Sequence, residues 1–126
     1  MNTRIAQGIR DASLDDAQVL AFCEALRVLA KHGSPRNSAV RLLEVRLRQS
    51  VEQECQPAPL GELWPHRELF LRACITAAVC EGEYRVESAR IVGDYAQELG
   101  ISARQLDAME CAVMKGLIAR GREEMI

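Results

Sequence analysis

The 126-residue chain predicts an all-α fold: a single-domain bundle of about five helices, in two antiparallel hairpins around a buried central helix. Three observations predict it. Helix-favouring residues (Ala, Leu, Glu, Arg, Gln) dominate, and aromatic residues make up only 4% of the chain. Apolar residues recur at helical spacing in stretches separated by glycine or proline. Between Leu69 and Cys80, only Arg72 and Thr76 are strongly polar. A helix that is apolar nearly all round belongs in the middle of a bundle, so this stretch is the expected centre.

The elements follow in order. Residues 1–12 are expected to form an N-terminal arm or short helix, ahead of one domain over 13–126. Ile5 and Ile9 share a helical face there, but Gly8 between them costs up to about 1 kcal/mol against alanine. Ser13 is a suitable N-cap for a helix over roughly 14–31, with Asp15 and Asp16 at the positive end of its dipole. Val19, Phe22, Leu26 and Leu29 make its buried face, and Gly33 ends it. Ser34 and Pro35 restart the chain as N-cap and first helical residue. Val40, Leu43, Leu47 and Val51 form the inner stripe of this second helix, and Arg41, Glu44, Arg48 and Glu52 the opposite one. Glu54 to Leu63 reads as the one real loop, held extended by Pro57 and Pro59. Trp64 and Pro65 then open the central helix, with Trp64 expected to cap one end of the core. After the turn Glu81-Gly82-Glu83, Ala89, Val92, Ala96 and Leu99 form the inner stripe of helix four. Gly100 is its expected left-handed end, with Ile101 folding back onto it. Ser102 and Gln105 make a capping box for helix five, lined by Leu106, Met109, Val113 and Leu117.

Composition excludes some functions. The formal net charge is -2, with acids and bases mixed along the chain, so neither nucleic acid nor an anionic membrane is the expected main partner. No run of about 18 apolar residues provides a membrane span. The opening MNTRIAQGIRDAS has no apolar signal core. Five cysteines (Cys23, Cys55, Cys74, Cys80, Cys111), mostly inside apolar runs, are expected to be reduced core thiols in a cytoplasmic protein.

Catalytic motifs are not found. His32 and His66 stand apart, and there is no glycine-rich phosphate loop or serine elbow. Cys74 and Cys80, six residues apart, are related by a rotation of about 240° around a helix and cannot chelate together. The arginines of helix two are interleaved with glutamate and lack an aromatic partner to stack a base, as in a solvated face. Glu81, Glu83 and Glu87 are the candidate metal ligands: three carboxylates around a glycine suit a hard divalent cation, calcium or magnesium, bound weakly. The same residues also suit a plain helix corner, since Glu83 and Glu87 favour the next helix N-terminus. Ala96, Gly100, Ile101 and Ser102 have the spacing of a DNA-binding helix-turn-helix. Asp107 and Glu110 on its reading helix oppose approach to phosphates.

The stretch Leu69 to Leu117 resembles the tellurite-resistance TerB-like family of small bacterial helical domains. The residues that carry the likeness are Ala73, Ala77 and Ala78 before Glu81-Gly82, then Tyr84, Glu87, Ile91, Ala96 and Leu99-Gly100-Ile101. Glu81 replaces the family's turn aspartate, and Ser88 stands where a glutamate usually opens the next helix, with Glu87 one residue early. In the first hairpin the matching corner is His32-Gly33, without an acid. The resemblance implies a helical bundle with a non-enzymatic, stress-associated or scaffolding role. The expected function is therefore a cytoplasmic interaction domain with a protein partner, and a homodimer as one arrangement. A small helix-turn-helix transcriptional regulator is the alternative.

Overall fold

The computed structural model describes residues 14–32, 38–79 and 84–120. Five α-helices run Asp16–His32 (α1), Ser38–Gln49 (α2), Arg67–Val79 (α3), Val86–Glu98 (α4) and Ala103–Arg120 (α5), and no strand occurs among the described residues. The fold is the expected all-α bundle. The N-terminal arm and the predicted caps Ser13, Ser34 and Pro35 lie outside the described residues.

α1 is capped by Asp15. Its carboxylate accepts from the Gln18 backbone N–H at 2.8 Å, and the Gln18 side chain accepts from the Asp15 N–H at 3.0 Å, a reciprocal capping box. Asp16 does more than complement the dipole: it accepts from the Gln53 backbone N–H at 3.1 Å and ties down the segment that follows α2. α1 and α2 pack along one another as the first hairpin. Val40, Leu43 and Leu47 are buried between them and the rest of the bundle, while Val51 is only partly buried. On the outer side, Arg48 reaches Glu44 at 3.1 Å and Glu24 of α1 at 3.6 Å. These ion pairs lie at the surface, with only Glu44 half-buried, and are worth about 0.2–1 kcal/mol each.

The centre is α3. Phe70, Leu71 and every residue from Ala73 to Val79 are buried, and the helix touches each of the other four. Thr76 Oγ1, buried with them, donates to the Arg72 carbonyl at 2.7 Å and so hides its hydroxyl within the helix. Three of the five aromatic side chains meet at this helix. Phe22 of α1 meets Phe70 edge-on at 4.8 Å between ring centroids, and Tyr95 of α4 lies 5.5 Å from Phe70 on another side. The Tyr95 hydroxyl donates to the Ala25 carbonyl at 2.8 Å, which joins the two hairpins through one polar bond at the edge of an apolar cluster.

Three details depart from the sequence expectation. The predicted loop ends early: Leu60–His66 is a 3-10 helix, and the α-helix starts at Arg67 rather than at Trp64. Pro65 sits inside that 3-10 turn, whose fixed φ it suits. Trp64 does not cap the core. Leu63 fills that place with no exposed surface, while Trp64 is 48% exposed. In α4 the buried position of the first turn is Ser88, with Ala89 only partly covered, so the inner stripe is rotated by one residue there. The cysteines also divide. Cys23 and Cys74 are buried core thiols as expected, Cys55 and Cys111 are exposed, and Cys80 lies outside the described residues.

Candidate functional site

α4 enters from Arg85, and the residues just before it are the flank of the acidic turn. Glu81 and Glu83 lie outside the described residues, so of the three candidate ligands only Glu87 has a described position. It is in the first turn of α4, exposed, with Oε2 3.5 Å from Arg85 Nε. A backbone N–H bond at this helix start, aided by Arg85 and Arg90, holds its carboxyl below the usual range. Glu87 is thus an ionised carboxylate already facing one arginine. Among the described residues, no three His, Cys, Asp or Glu side chains come together closely enough to hold a metal ion.

Tyr84 anchors the same corner. Its ring packs against the core, and its buried hydroxyl has no hydrogen-bond partner among the described residues. Burial pushes the phenol well above its ordinary value, and the Glu110 carboxylate of α5 adds to the shift. Glu110 is half-buried and near enough to Tyr84 for its charge to act on the phenol. Sequence spacing could not associate these two residues, because Tyr84 lies just before α4 and Glu110 in α5, 26 positions later.

The second corner, between α4 and α5, forms as expected. Gly100 has φ 71°. The Ile101 N–H donates to the Ala96 carbonyl at 2.8 Å and the Gly100 N–H to the Gln97 carbonyl at 3.2 Å, the paired bonds of a Schellman end. Ile101 and Ala96 are both buried, which completes the apolar contact of that motif. Ser102 and Gln105 then exchange bonds at 3.1 and 2.9 Å in a capping box. Trp64 was not foreseen at this corner. Its benzo edge lies so close to Gly100 that an added Cβ would sit 2.4 Å from Cη2 and 2.7 Å from Cζ3. The Arg67 guanidinium stacks 4.6 Å from the centre of the same indole and also donates to the Trp64 carbonyl at 3.0 Å. A half-exposed tryptophan with an arginine on it therefore rests against the α4–α5 turn.

Beyond the corner, α5 turns Leu106, Met109 and Val113 inward and leaves Arg104, Asp107, Ala108, Cys111, Ala112 and Lys115 exposed. Its outer face carries both signs of charge and no run of basic residues. His66 is partly exposed beside Arg67 and Glu68, with no described partner that would make it a base or a ligand. An open groove of about 640 Å³ lies between α1 and the end of α2, lined by Leu20, Arg48, Val51, Glu52, Cys55 and Gln56 among others.

The chain matches no family model, no curated protein and no solved structure.

Proposed function

We propose that the protein is a non-enzymatic interaction domain of TerB-like type, working in the cytoplasm in a stress-associated or scaffolding role. A protein is its partner, and a divalent cation, calcium or magnesium, binds weakly at the acidic turn through Glu81, Glu83 and Glu87. The observation that supports this most is the second hairpin as a unit. α3, buried over most of its length, is followed in sequence by the acidic turn and then by α4, which ends at Leu99-Gly100-Ile101 in a Schellman turn, the register on which the family resemblance rests. The half-exposed Trp64 with Arg67 stacked on it supports a protein partner, since tryptophan and arginine are enriched at interface hot spots. Glu110, close to Tyr84, supports a carboxylate-rich environment at the turn.

NMR titration with calcium, magnesium and manganese tests the cation. Amide shifts confined to residues 80–87, with weak saturable affinity, are expected, and Glu83→Gln should abolish them. Spectra unchanged at millimolar metal would remove the cation from the proposal.

The helix-turn-helix regulator is the second reading, supported by the capped α4–α5 corner. Asp107, exposed beside Arg104 on α5, weighs against it. No specific duplex binding is expected. A mobility shift that weakens steeply with salt and is lost in Arg104→Ala would favour the regulator instead.

A further inference from the structure

We draw no further inference here: the strongest candidate, the outward face of α5 on which Ala108, Cys111, Ala112 and Met114 are exposed between Arg104 and Lys115, is an unpartnered stripe of mostly small residues, and nothing in the structure shows what covers it.

Discussion

Gly100 is held by two independent constraints, and substituting it separates them. Its φ of 71° costs an L-residue roughly 1–2 kcal/mol of backbone strain. Any Cβ would also meet the Trp64 ring at 2.4 Å, more than about 1 Å inside ordinary carbon–carbon contact. The indole must then swing outward, which its 48% exposure permits. In moving it gives up the Arg67 stack, worth about 0.5–1 kcal/mol, and part of its apolar burial, worth about 1 kcal/mol more. Gly100→Ala should therefore destabilise by about 2–4 kcal/mol, or on the order of 10 °C in melting temperature for a chain of this length. Gly100→Asn should fall at the lower end, because asparagine tolerates the backbone angle but still carries a Cβ. In a Trp64→Ala background only the backbone part should remain, about 1–2 kcal/mol. Urea unfolding of the two single variants and the double variant measures the coupling. Tryptophan emission should shift to the red in Gly100→Ala as the ring enters water. A Gly100→Ala protein that melts like the wild type would refute the left-handed turn, and equal losses with and without Trp64 would refute the indole contact.

Other outcomes follow from burial. Burial raises the Cys23 thiol from 9.0 to about 11. The folded state thus keeps a proton that the unfolded state releases first, so this contribution is intact below pH 9 and declines as pH rises from about 9 to 11. Melting temperature should fall across that window under reducing conditions and fall less in Cys23→Ala; identical slopes would exclude Cys23 as a source. Brief alkylation of the native protein should label Cys55 and Cys111 but spare Cys23 and Cys74, with peptide mapping as the readout, and early labelling of Cys74 would contradict its place in the core. Gly93 lies inside α4 with nothing within 4 Å of an added Cβ, so Gly93→Ala should raise stability by about 0.5–1 kcal/mol in urea titrations.

Much of this fold is written locally in the sequence. The α4–α5 corner was legible down to single hydrogen bonds, because a Schellman end and a capping box need only residues within six positions of each other: Ala96, Gly100 and Ile101, then Ser102 and Gln105. The burial of α3 was legible for a similar reason, since a helix that is apolar nearly all round has no stable place at a surface. At Asp15 and Gln18 an equally local motif was present but lost to the neighbouring Ser13, because propensity alone ranks serine and aspartate alike as caps. Other features were decided by the tertiary structure, since they join residues far apart in the chain. Which of Leu63 and Trp64 enters the core depends on the 3-10 phase of residues 60–66, and hence on how that segment meets α1 and α3. The seat of Trp64 on Gly100, the Tyr95 bond to Ala25 and the approach of Glu110 to Tyr84 each span a different pair of elements. Of the candidate metal ligands, the exposure of Glu87 and its arginine partner came from the structure, while Glu81 and Glu83 remain known from their sequence spacing alone. Periodicity dictates which face of a helix turns inward; the packing of helices against one another decides which side chains from different faces meet.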